Sequence, residues 1–320
     1  MINLDSEDEG IFLTSCAGGA RVNCRFPMKR QELTGLRYEL EVSGLLGGHS
    51  GGEIHKERGN SNCILGRLLW KLSEKMPVGL VFADGGLADN AIPRQTKAVV
   101  VVEEKDTESL AQQVAALAAE LADELATKDP DVKVTAKRLA DTAETITCAA
   151  PEETKRVAAF LQATPNGVQA MSADMPGLVQ TSLNLGILKA DAEVLRAEYS
   201  VRSSVESEKD NLIAKLSALV ELAGGDYVVT GDYPGWKYRV HSPLREKMVK
   251  LYAEMYGNEP RVEAIHAGLE CGLLGSKISD LDCVSMGPDM KDIHTTEETL
   301  SISSTKRVWE YLVRVLETKD

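Results

Sequence analysis

Twice along this 320-residue chain the hydrophobic pattern runs strand, helix, strand, strand, helix, strand, and that order constrains the fold more than any other feature. In the first round, residues 37–42 alternate strictly, as a half-buried strand does. Asn60 is placed to cap a helix that carries Ile64, Leu65, Leu68 and Leu72 on one face. Residues 78–82 and 97–102 are apolar strands, Leu110, Val114, Leu117, Leu121 and Leu125 mark an amphipathic helix, and Val132, Val134 and Ala136 close the unit. The second round opens with a short strand at 145–148 and a helix from Pro151, since proline suits a first helical turn. Strands at 180–188 and 193–202 meet at a turn around Ala190-Asp191. A helix through Leu212, Leu216 and Leu219 and a strand at 227–229 complete it. Each round predicts a ferredoxin-like lobe, a four-stranded antiparallel sheet with helices on one face.

The two ends of the chain predict something else. Strands at 262–265 and 283–286, a helix opened by Ser242-Pro243 and a last helix bearing Val308, Leu312 and Val315 form an α/β pattern. The expected fold class is therefore α/β with an α+β lid. Residues 1–18 and 235–320 would share one α/β sheet, with 19–234 inserted as a lid (lobe one about 19–140, lobe two about 141–234). At the start, Ile2-Asn3-Leu4 leads into Asp5-Ser6-Glu7-Asp8-Glu9-Gly10, a strand ending in carboxylates at the rim where α/β sheets hold ligands. Near the other end, Gly287-Pro288 precedes His294-Thr295-Thr296-Glu297-Glu298. A carboxylate and an imidazole are half of a zinc site. Taken singly, the first is a solvated turn and the second a helix-entry residue.

A net charge of -13 leaves no basic stripe for nucleic acid. No apolar run approaches the length of a membrane span, and the first residues lack a secretory pattern. The six cysteines are scattered without a C-x-x-C pair, which predicts buried reduced thiols rather than disulfides or a thiolate zinc site. Cytoplasm is the expected compartment.

Five ordered motifs now carry a resemblance: Leu4-Asp5-Ser6-Glu7-Asp8-Glu9-Gly10, Gly48-His49-Ser50-Gly51-Gly52-Glu53-Ile54-His55, Asn90-Ala91-Ile92-Pro93-Arg94, Ser200-Val201-Arg202-Ser203-Ser204 and His266-Ala267-Gly268-Leu269-Glu270-Cys271-Gly272. Together they resemble the aminoacyl-histidine dipeptidases (cytosol non-specific dipeptidases), among the two-zinc metallopeptidases that include carnosinase and the aminoacylases. The resemblance implies zinc-dependent hydrolysis of unblocked dipeptides, Xaa-His type preferred, with two zinc ions. Asp5 would ligate one ion and His294 the other. His49 would donate a hydrogen bond to the scissile carbonyl, and Arg202 would clamp the free carboxylate of the peptide with its planar fork. Asn184 would assist on the neighbouring strand, and His266 and Glu270 would touch substrate, Glu270 by receiving the free amine. Family ligands and the general base that precede the Leu-Asp-Ser-Glu motif have no counterpart here, so the chain reads as the later part of such an enzyme, weak in zinc and inactive alone. Expected partners are a dipeptide and a second copy, or association through an exposed catalytic-domain edge. Two other readings stand beside this one: a non-catalytic ferredoxin-like module for binding or dimerisation, and an aminoacylase-like deacylase.

Overall fold

The structure, a computed structural model, describes residues 1–293 and 295–318. The chain opens with β1 (Ile2–Asn3), β2 (Ile11–Cys16), β3 (Gly18–Pro27) and the long β4 (Arg30–Ser43). Next come β5 (Gly48–His49), α1 (Ser61–Ser73), β6 (Gly79–Gly85), β7 (Ala91–Ile92), β8 (Thr96–Val102), α2 (Thr107–Glu124) and β9 (Lys133–Arg138). They are followed by β10 (Glu144–Ala149), α3 (Pro151–Ala163), β11 (Gly167–Met171), β12 (Val179–Ala190), β13 (Val194–Ser203), α4 (Glu206–Leu222) and β14 (Asp226–Tyr233). The final stretch holds α5 (Pro243–Tyr256), β15 (Arg261–Ile265), α6 (Glu270–Gly275), β16 (Val284–Ser285), β17 (Met290–Lys291), β18 (Thr299–Leu300) and α7 (Ile302–Glu317).

Ten strands form one antiparallel sheet in the order β10-β4-β8-β6-β12-β13-β3-β14, with β9 also beside β4 and β11 also beside β12. Lobe one is the run β9-β4-β8-β6, and lobe two the run β12-β13-β3-β14. Both have the ferredoxin-like order. The second lobe does not begin at 145–148, as the sequence order predicts. Its first strand is β3, which pairs with β13 along ten residues from Gly18↔Ser203 to Pro27↔Val194. The segment at 145–148 is β10, which instead pairs with the first half of β4. The reason is apolar content. β3 sends Val22, Cys24 and Phe26 into the core, where Phe26 meets Phe160 of α3 with ring centroids 4.4 Å apart. β10 leaves Thr145 and Thr147 exposed and buries little beyond Cys148 and Ala149, so it suits an edge. Lobe one is thus nested inside lobe two rather than preceding it.

The lobes fuse where β6 pairs with β12, at Leu188↔Gly85, Lys189↔Asp84 and Ala190↔Ala83. Gly86 there has φ 82°, and a Cβ on it would lie 1.8 Å from the carbonyl oxygen of Gly186, so only glycine fits. A buried amide cluster crosses the same seam. Asn60 caps α1 by accepting from the Asn62 and Cys63 backbone N–H groups, and its own amide donates to Asn184 Oδ1 and the Leu185 carbonyl. All four helices of the two lobes bury their apolar stripes on one face of the sheet, in a single core that includes Leu40, Leu68, Val100, Leu117, Leu183, Tyr199 and Val220.

Both chain ends build the second sheet, in the order β1-β16-β2-β15. Phe12 packs there against Tyr252 and Tyr311. The two layers join where Cys16 and Trp236 exchange backbone hydrogen bonds of 3.0 and 2.9 Å.

Candidate functional site

Side chains alternate across a strand, so Leu183, Tyr199 and Val201 enter the core while Ser182, Asn184, Ser200 and Arg202 share the face that no helix covers. Register sets Ser182 directly opposite Arg202, and Asn184 opposite Ser200. This part of the face is wrapped by loops from elsewhere. Tyr233 lies over it, its hydroxyl 3.4 Å from an Arg202 guanidinium nitrogen. Gly19 and Gly268 leave room for that ring, since a Cβ at either would come within 2.9 Å of it. His266, from the turn after β15, comes within 2.8 Å of Ser182 Oγ through Nε2.

The third contributor is the glycine-rich loop of lobe one. β5 pairs with β7, setting His49 opposite Ala91, and the Ser50 N–H donates to the Asn90 carbonyl over 2.8 Å. The segment Asn90–Arg94, singled out by its sequence, is therefore the brace of the His49 loop. Lobe two grips the brace in turn: Asn184 donates to the carbonyls of Asp89 (3.1 Å) and Ala91 (2.9 Å). The loop then rests on His266, because a Cβ at Gly51 would lie 2.6 Å from the His266 carbonyl oxygen.

Protonation follows from these contacts. His49 Nδ1 accepts from the backbone N–H groups of Gly51 (3.2 Å) and Gly52 (3.0 Å), so a neutral ring carries its hydrogen on Nε2 and presents a donor outward. Partial burial, then the Arg202 charge, lower the pKa of His49, with Glu53 opposing. Lys56 and the His49 N–H hold the carboxyl of Glu53 at about 2, so it stays a carboxylate clamp on the loop. His266 is 7% exposed, and burial, then Arg202 and His49, push it down to about 3. Three buried polar atoms in this neighbourhood find no protein partner among the described residues: His266 Nδ1, Arg202 Nε and Ser50 Oγ. Such atoms are costly to leave unpaired, so this neighbourhood can take hydrogen bonds from water or a polar ligand.

Of the residues picked from the sequence, His49, Arg202 and His266 meet here. Asn184 is close by, but its amide is engaged by the brace and by Asn60. Glu270 stands at the start of α6, exposed, and accepts from Asn3 over 3.3 Å. It therefore belongs to the rim that follows β1. Ser182 and Tyr233 went unnoticed in the sequence. The only signal was the polar run Thr181-Ser182-Leu183-Asn184 in an otherwise apolar strand.

The acidic stretch and the stretch after β16 are zipped together. Ser6 and Ser285 share a 2.7 Å hydroxyl contact, the Met290 N–H donates to the Glu7 carbonyl (2.8 Å), and Arg307 grips Glu9 with two hydrogen bonds of 2.7 and 2.5 Å. The Arg307 guanidinium holds Glu9 below the usual carboxylate range, so Glu9 is tied down within the protein. Asp5 is exposed just past β1, and His294 lies outside the described residues. Among the described residues no three His, Cys, Asp or Glu side chains stand close enough to share an ion. The described donor set does not by itself fit a catalytic zinc, which takes about three protein ligands.

Residues 40–129 match the family described as "Peptidase dimerisation domain". The chain is 33% identical over 318 residues to the cytosol non-specific dipeptidase of Escherichia coli (strain K12), covering 99% of this chain and 65% of that protein. It shares the fold of the aminoacylhistidine dipeptidase from Vibrio alginolyticus, with a TM-score of 0.93 and 33% identity over 99% of this chain and 64% of the other. The chain thus spans under two-thirds of each relative's length. The resemblance carried by the five motifs holds along almost the whole chain.

Proposed function

We propose that this chain forms the substrate-gripping part of a metal-dependent dipeptidase acting on unblocked dipeptides, Xaa-His among them, in the cytoplasm. One observation carries the reading: His49, Arg202 and His266, from three distant segments, converge, and Arg202 Nε, His266 Nδ1 and the nearby Ser50 Oγ are buried with no protein partner among the described residues. Likeness to the two dipeptidases supports it.

In this reading Arg202 binds the terminal carboxylate of the peptide, a task suited to a guanidinium fork. His49, neutral and with Nε2–H outward, donates to the carbonyl oxygen where negative charge develops. Tyr233 steadies Arg202, and the Asn184–brace contacts fix the loop that carries His49. Asp5, with His294, is the proposed zinc-binding pair. Zinc when bound supplies Lewis acidity to the reaction.

Calorimetry with Gly-His and its C-terminal amide tests the reading. The free acid is expected to bind at least roughly tenfold more tightly, as one charge-assisted pair warrants. Arg202→Ala should erase that preference. Equal affinity of the wild-type protein for both peptides would overturn the proposal. Self-association of the chain without binding of either peptide would favour the second reading, a non-catalytic pairing module. That reading draws on the dimerisation-domain match at residues 40–129.

A further inference from the structure

We infer that Ser182 is a positioning residue: its hydroxyl donates to His266 Nε2 and so holds the ring as the Nδ1–H tautomer, a second donor beside Arg202 for the terminal carboxylate of the bound peptide. This rests on the dipeptide reading above.

The geometry that supports it is local. Ser182 is 2% exposed and His266 is 7% exposed, with Oγ and Nε2 2.8 Å apart. A hydrogen bond sealed from water leaves the hydroxyl and the imidazole few other choices. Ser182 and Arg202 are direct cross-strand partners, so the hydroxyl that orients the imidazole and the guanidinium rise from neighbouring strands on one face. Burial and the adjacent Arg202 keep His266 neutral, so one ring nitrogen carries the hydrogen and the other does not. Nε2 faces Ser182, leaving Nδ1, which is buried and has no protein partner among the described residues. Arg202 Nε is in the same condition. Two unpaired polar atoms of adjacent residues match the two oxygens of one carboxylate when both present hydrogens. Only a hydroxyl donating to Nε2 gives His266 that form. Ser182→Ala would remove this bias, and Ser182→Thr would keep it.

Nitrogen NMR of isotope-labelled histidine in the wild-type complex with Gly-His is the direct measurement, with the His266 signals assigned by His266→Gln. Protonation at Nδ1 is expected. Protonation at Nε2 would overturn the inference, and this readout needs no altered fold. Calorimetry adds the second arm. Ser182→Ala should weaken Gly-His binding roughly tenfold while changing the amide by less than about twofold, and Ser182→Thr should restore the wild-type preference. Equal weakening of both ligands, or none, would count against Ser182. If Arg202→Ala leaves the carboxylate preference intact, the dipeptide reading itself fails. If Arg202→Ala erases it and Ser182→Ala does not reduce it, only the role of Ser182 falls.

Discussion

Lobe one is written as one uninterrupted run from β4 to β9, while lobe two takes its first strand from β3 and resumes only at α3, after all of lobe one has been made. Their strand orders agree, yet their uncovered faces have different fates. In lobe one that face carries Glu39, Glu41 and Lys97, partly exposed and, among the described residues, with no loop laid over them comparable to the His49 loop, and Lys97 lies 3.7 and 3.8 Å from the two carboxylates. In lobe two the equivalent face carries Ser182, Asn184 and Arg202, and Tyr233, His266 and the His49 loop lie over it. Covering is what turns a polar sheet face into a site, because removal from water strengthens each hydrogen bond and charge left inside. The nested order makes the cover possible. β3 leaves the small sheet directly after β2, so the covered face lies beside the layer that supplies His266.

The sharpest way to break this comparison is at the seam. Gly86→Ala adds a Cβ at a positive φ and against the Gly186 carbonyl, so a loss of about 3 kcal/mol or more is expected in urea unfolding of the whole chain. A loss below about 1 kcal/mol would mean that the lobes are not locked there.

Acid should distinguish the two faces next. An unfolded chain takes up the His266 proton near 6.5, whereas the folded chain takes it up only near 3. Stability is therefore fully present above 6.5 and falls as pH drops through that window, by up to about 1.4 kcal/mol per unit. Unfolding midpoints between pH 6 and 4 should show this slope, and His266→Gln should flatten it. An unchanged slope in the variant would place the acid sensitivity elsewhere.

The smallest effect belongs to the wet face. Lys97→Ala breaks two loose, partly exposed pairs and should change stability by less than about 0.5 kcal/mol. A larger loss would show that lobe one's face is also under cover in solution.

Much of this could be read from the residues alone. Asn60 and Ser242 cap helices as their positions predict, and the strict alternation of 37–42 lies within β4. Motif likeness also singled out His49, Arg202 and His266, which meet at one place. Those features are local: a cap is satisfied two or three residues away, and a half-buried strand states its own period. Tertiary structure alone decided that β3 rather than β10 enters lobe two, that Ser182 faces His266, and that Arg307 ties down Glu9. Each of these joins segments at least 84 residues apart in sequence. Which sheet edge stays open for a strand, and which polar atom lies opposite another, depends on the assembled layers and leaves no period in the chain.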